Sequence, residues 1–170
     1  MRAALDFVLL RWPWFALLAA AAMLGAAHAF ETFGHLAPCT LCYKQREAHW
    51  AALAIAAAAL ALSMTPLRSR LPWLPCLALA LAFGYGAYLG FFHMGVEYHW
   101  WPGPTTCASR PPGHVVIDMT GLLRGEPMTA PACDTPQWWF LGLTMATWNG
   151  IICTGLTLLS LAAAYRRRRA

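Results

Sequence analysis

The chain has 170 residues, 59% of them hydrophobic and 11% charged, with a formal net charge of +5. That is far too apolar for a soluble domain, and long enough for several membrane spans. The basic balance does not indicate nucleic acid, because most of the arginines stand at the ends of apolar runs.

The first segment opens with Arg2 and Arg11 and runs apolar from about 12 to 30. A basic start, an apolar middle and Ala27-His28-Ala29 imitate a secretory signal with its cleavage site. The aromatic cluster Trp12, Trp14 and Phe15 fits an interfacial anchor better, so an uncleaved first span is expected. Either choice leaves the next segment on the same side of the membrane.

That segment is Pro38-Cys39-Thr40-Leu41-Cys42-Tyr43-Lys44-Gln45-Arg46. Two cysteines with two residues between them close a small redox-active disulfide or supply half of a metal site. The Ala/Leu-rich sequence from Ala48 predicts a helix, with Cys42 in or just before its first turn. There, unpaired N–H groups and the positive dipole end stabilise a thiolate. Arg46 falls on the helical face of Cys42 and adds a permanent positive charge. Such a thiolate is a good leaving group and electron donor. The plainer alternative is two buried thiols or a structural bridge.

A second apolar run covers about 48–64 and stops at Thr65-Pro66 and the basic turn Arg68-Ser69-Arg70. The third covers about 71–92, with Gly84, Gly86 and Gly90 offering a small-residue face for close helix packing. A long connection, about 94–137, follows; it is rich in proline and carries Cys107 and Cys133. A connection of that length is usually functional. Within it, the apolar stretch from His114 to Leu123 suits a short segment on the membrane surface. The fourth run, about 138–164, ends in Tyr165 and Arg166–Arg169.

The positive-inside rule orients these runs. Arg2, Arg11, Arg68, Arg70 and Arg166–Arg169 fall on one side, making up most of the 12 basic residues. Lys44, Arg46, Arg110 and Arg124 fall on the other, among Glu31, Glu47, Glu97, Asp118, Glu126 and Asp134. Both termini are therefore expected in the cytoplasm, and loops of about 31–47 and 94–137 outside. In a bacterium that is the periplasm, where disulfides persist.

The expected fold is an all-α membrane protein, a four-transmembrane-helix bundle forming one domain over 1–170 with two periplasmic loops. Cys39, Cys42, Cys107 and Cys133 face outward, while Cys76 and Cys153 fall inside spans as packing residues. Four outward cysteines suit a four-cysteine zinc site or two communicating disulfides, and the wide spacing of Cys107 and Cys133 favours the second. A dithiol at the membrane surface needs an electron partner. No glycine fingerprint for a soluble dinucleotide follows a strand. A lipid-soluble quinone reaches this depth, with Arg46 donating to its carbonyl oxygens and His93 donating another bond or moving a proton.

The order Pro-Cys-x-x-Cys-x-x-x-Arg, two cysteines in a long outer loop, then Cys133-Asp134-x-x-x-Trp138 leading to Leu143-Thr144-Met145-Ala146-Thr147-Trp148-Asn149 resembles the bacterial disulfide-bond formation protein DsbB family. The resemblance covers nearly the whole chain. It implies a four-helix inner-membrane protein that reoxidises the periplasmic thiol oxidase DsbA and passes electrons to ubiquinone or menaquinone. By position, Cys39 and Cys42 resemble the quinone-linked pair, and Cys107 and Cys133 the pair that exchanges with DsbA. Arg46 resembles the quinone-site arginine, and His93 and Met145 resemble residues lining that site. No resident metal and no nucleic acid are implied. Three other readings stand beside this one. The first is a DsbI-like sibling dedicated to one partner oxidase. The second is a vitamin K epoxide reductase-like enzyme, whose loop cysteines precede the CxxC instead of following it. The third is a non-enzymatic membrane protein binding metal through four cysteines.

Overall fold

The computed structural model describes residues 2–65, 71–107 and 131–169. Within them run five helices: α1 (Arg2–Leu10), α2 (Trp12–Thr32), α3 (Thr40–Ser63), α4 (Leu74–Glu97) and α5 (Met145–Arg169). A 3₁₀ turn covers Thr105–Cys107, and two short antiparallel strands pair Trp139–Phe140 with Leu143–Thr144. Arg68, Arg70, Arg110, Asp118, Arg124, Glu126 and the expected surface segment His114–Leu123 lie outside the described residues.

Three helices, α2, α4 and α5, are long and apolar enough to cross a membrane. α3 has the length, but its first three turns carry Lys44, Gln45, Arg46, Glu47 and His49 ahead of the apolar stretch that starts after them. It therefore begins at Thr40, ahead of the Ala48 at which hydrophobicity alone would start it. Polar residues propagate a helix as well as apolar ones do.

The short α1 was not expected. Pro13 sits in the first turn of α2 and has no N–H for the carbonyl of Leu9, so the chain breaks at Arg11 and restarts. The apolar run expected from 138 is not helical at its start. Leu141 (φ 51°) and Gly142 (φ 77°) turn the chain back into the hairpin. Thr144 Oγ1 then accepts the Thr147 N–H at 3.2 Å and caps α5.

Small residues let the helices approach. Ala16, Ala20, Ala52 and Ala56 are buried around Trp12, Leu79 and Phe83. The Trp12 indole donates to Ser160 Oγ at 2.8 Å, so the buried ring keeps its polar atom satisfied. The closest approach is α4 on α5. A Cβ added at Gly90 would lie 2.6 Å from the Gly150 nitrogen and 2.7 Å from its Cα. Between helices that face lipid, such close packing carries the association, because no water is released. The large side chains Leu18, Leu81, Tyr88 and Leu158 remain exposed on the outside of the bundle.

At one end of the bundle, Arg166 pairs with Asp6 at 3.1 Å and Arg167 donates to the Leu10 carbonyl at 2.5 Å. The basic end of the last helix is thus held against the first helix.

Candidate functional site

Cys39 is the N-cap of α3, in extended backbone geometry (φ −81°, ψ 174°), and its sulfur accepts the Cys42 N–H at 3.3 Å. The motif therefore builds its own cap, and the two-residue spacing puts the second cysteine on that first turn. Cys39 is buried and Cys42 half-buried; both are free thiols, with sulfurs 2.8 Å apart.

The two share one proton unequally, and both stand ahead of the apolar stretch of α3. The hydrogen bond from the Cys39 thiol pulls Cys42 down, against the effect of burial and the charge of Glu97. Arg46 acts in the same sense as Cys39 but contributes less. The bond to Cys42, burial and the Cys42 charge push Cys39 up. Cys42 is therefore the more acidic of the two and Cys39 the less. Arg46, expected from its helical position to favour the thiolate, is a smaller influence than the neighbouring thiol.

Arg46 is engaged elsewhere. Its Nη1 donates to Glu31 Oε2 at 2.6 Å and its Nη2 to the Ala27 carbonyl at 3.1 Å. It thereby clasps the last turns of α2 to α3, with its guanidinium 5.5 Å from the Tyr43 ring centroid.

Cys107 and Cys133 form a disulfide with Cα atoms 5.3 Å apart, so neither sulfur is a free thiolate ligand. Together with Cys39, Leu41 and Val96 they make one buried cluster, against which Cys42 and Phe92 pack. The contact point is His93. Its Nε2 lies 3.7 Å from Cys39 Sγ and 3.2 Å from the Cys133 carbonyl oxygen. Glu97, one turn further along α4, brings Oε1 to 3.9 Å of the same nitrogen. Loop 131–138 is held here by Gln137, which donates to the Ala37 carbonyl at 3.0 Å, and by Trp138, whose ring lies 5.0 Å from that of Phe30.

Beside the thiols opens a cavity of about 370 Å³. Met23, Ala26, Phe30, Trp138 and Ile152 give it an apolar wall, and Cys42, Arg46, His93 and Met145 all reach it. So do three polar residues that the sequence reading passed over: Gln45, His49 and Asn149. Gln45 Nε2 meets His93 Nδ1 at 2.8 Å, Asn149 Nδ2 meets Gln45 Oε1 at 2.7 Å, and Asn149 Oδ1 meets His49 Nε2 at 2.9 Å. Cys153, expected as plain packing, touches this line at 3.7 Å from Asn149 Oδ1. The available signal was polarity inside apolar runs, which is costly in a membrane and marks function.

Volume and lining suit a planar, mostly apolar ring with a few polar substituents. Two buried polar atoms of residues near the cavity, His49 Nδ1 and Glu97 Oε2, have no hydrogen-bond partner among the described residues. Cys39, Cys42 and His93 also bring two sulfurs and a ring nitrogen within 4.8 Å, which is a donor set for a soft divalent cation.

Among known families, the model of the one described as Disulfide bond formation protein DsbB matches residues 10–163. No curated protein matches the chain.

Proposed function

The chain belongs to the DsbB family of membrane-bound, disulfide-forming oxidoreductases, and from that premise we propose that it is a thiol:quinone oxidoreductase of the bacterial inner membrane. It reoxidises a DsbA-like periplasmic thiol oxidase and passes the electrons to ubiquinone or menaquinone. In this reading the chain crosses the membrane four times, within α2, the apolar part of α3, α4 and α5, with both termini in the cytoplasm and both cysteine pairs in the periplasm. The observation that supports this best is the meeting of the two pairs in one buried cluster at His93, with the cavity on the Cys42 side.

The relay is a series of thiol–disulfide exchanges. A partner thiolate attacks Cys107, forming a mixed disulfide and releasing Cys133. With Cys39 and Cys42 first joined as a disulfide, the Cys133 thiolate attacks Cys39 and breaks that bond, and Cys42 leaves, the better leaving group because its pKa is the lower. The partner's second thiol frees Cys107 and departs as a disulfide. Cys107 then attacks Cys133, restoring the loop disulfide and leaving Cys39 and Cys42 reduced. Their reclosure gives up two electrons and two protons, and a bound quinone supplies the acceptor for both. Arg46 donates to one of its oxygens, His93 and Met145 contribute to the wall, and the apolar lining excludes water.

The test is purified protein in detergent with a reduced thioredoxin-fold partner and a short-chain quinone. The expected result is loss of quinone absorbance, one quinone per partner dithiol, abolished in Cys42→Ala. A protein that leaves the quinone oxidised while the partner stays reduced overturns the proposal.

A further inference from the structure

Three donors converge where α3 begins against α4. Cys39 and Cys42 come from the cap and first turn of α3, and His93 comes from α4. The two sulfurs and a ring nitrogen lie within 4.8 Å of one another. All three residues line the cavity and Cys42 is only half-buried, so the cavity gives a small ion a route to the donors.

The spacing suits a tetrahedral zinc ion. Zn–S bonds of about 2.3 Å and a Zn–N bond of about 2.0–2.1 Å require sulfurs about 3.8 Å apart and a sulfur–nitrogen distance of about 3.6 Å. Cys39 Sγ and His93 Nε2 already stand at 3.7 Å. The two sulfurs are at 2.8 Å, drawn together by their hydrogen bond. A cation in place of that proton lets them part by about 1 Å, which small side-chain rotations provide. Two thiolates neutralise one divalent cation, so the ion enters without leaving a net buried charge, and the protons still on the thiols depart. For His93 to ligate, Nε2 gives up the Cys133 carbonyl, 3.2 Å away. The proton then sits on Nδ1, where the Gln45 amide at 2.8 Å, turned over, offers its oxygen. Sulfur and imidazole donors select zinc over magnesium or calcium.

We propose that Cys39, Cys42 and His93 form a zinc site that exists only while the Cys39–Cys42 pair is reduced, with water as the fourth ligand. Joined as a disulfide, the two sulfurs have no thiolate to offer. This set differs from a four-cysteine site, because Cys107 and Cys133 are bonded to each other. A bound cation coordinates both sulfurs whose electrons reclosure gives up, so zinc is a reversible brake on that step. The site stands apart from the quinone reading; the brake rests on it.

The experiment titrates Co²⁺ and then Zn²⁺ into the reduced, quinone-free full chain in detergent. Cobalt held tetrahedrally by sulfur absorbs in the visible and near ultraviolet, and one equivalent of zinc should erase those bands. Oxidation of the same sample should abolish them and reduction restore them, which controls for folding. X-ray absorption of the zinc-loaded wild type should show two sulfurs at about 2.3 Å and two nitrogen or oxygen neighbours at about 2.0–2.1 Å. Cys107→Ala/Cys133→Ala should bind zinc as tightly as the wild type, and His93→Phe at least about tenfold more weakly. Absence of cobalt bands, a shell of four sulfurs, loss of binding in the double variant or unchanged affinity in His93→Phe overturns the site. Zinc that binds without slowing quinone reduction overturns the brake. Failure of the metal-free protein to reduce quinone overturns the oxidoreductase reading and leaves the zinc site standing.

Discussion

The contact between Gly90 and Gly150 gives the most quantitative test of how the bundle holds its site. In Gly90→Ala the new methyl would meet the Gly150 nitrogen at 2.6 Å, its Cα at 2.7 Å and the Ala146 carbonyl oxygen at 3.1 Å. Relaxed carbon contacts need about 3.5–4.0 Å, and all three obstacles are backbone, so no rotamer change relieves the clash. The helices must move apart by roughly 1 Å. Overpacking of this kind costs about 1–3 kcal/mol, and the helix preference of alanine over glycine returns about 1 kcal/mol. The net loss is up to about 2 kcal/mol. Gly84→Ala is the internal control. Its methyl meets only Thr157 side-chain atoms at 3.7 and 3.9 Å, ordinary contact distances, so alanine there should be neutral or stabilising by up to about 1 kcal/mol. Unfolding by mixed-micelle denaturant titration compares the two. Equal stability of the two variants would refute the reading of this contact as the point of closest packing.

Three further predictions concern the thiols and the cavity. In the reduced protein, Cys42 should alkylate with a midpoint below the ordinary thiol value; its pKa is depressed, so reactivity persists as pH falls and is lost only through that lower midpoint. Cys39→Ala should raise the midpoint more than Arg46→Ala does, and the reverse order would contradict the hydrogen bond as the larger influence. Arg46→Lys keeps a charge but not the planar fork that reaches both Glu31 and the Ala27 carbonyl, so steady-state kinetics should show a KM for quinone raised about tenfold with kcat largely kept. Cys133→Ala leaves Cys107 a free thiol, so with the partner supplied in its disulfide form it should accumulate a mixed disulfide visible on non-reducing gels, because Cys107 opens the partner disulfide and no Cys133 is there to release it.

Much of this arrangement was legible in the chain because it depends on local chemistry. A CxxC ahead of an Ala-rich helix puts its first cysteine at a cap position whatever the rest of the fold does, and Cys39 is that cap. Gly86 and Gly90 within an apolar run announced close packing, and they meet Cys153 and Gly150. The unread parts depend on pairs far apart in sequence. Glu31 looked like one outer acid among several, and only the folded α2–α3 pair puts it on Arg46. Gln45 and Asn149 orient each other across 104 positions, a relation that no local pattern carries. The hairpin before α5 was hidden for another reason. Trp138, Trp139, Phe140 and Leu141 are as apolar as a span, and the break comes from two positive φ angles at Leu141 and Gly142.

The central claim is that the two cysteine pairs exchange directly, through Cys39 and Cys133 beside His93. The most direct measurement is disulfide mapping by mass spectrometry on Cys42→Ala/Cys107→Ala, which leaves one cysteine of each pair in place. After mild oxidation the account predicts a Cys39–Cys133 disulfide in nearly all molecules. Cys39 and Cys133 both recovered as free, alkylatable thiols would contradict it.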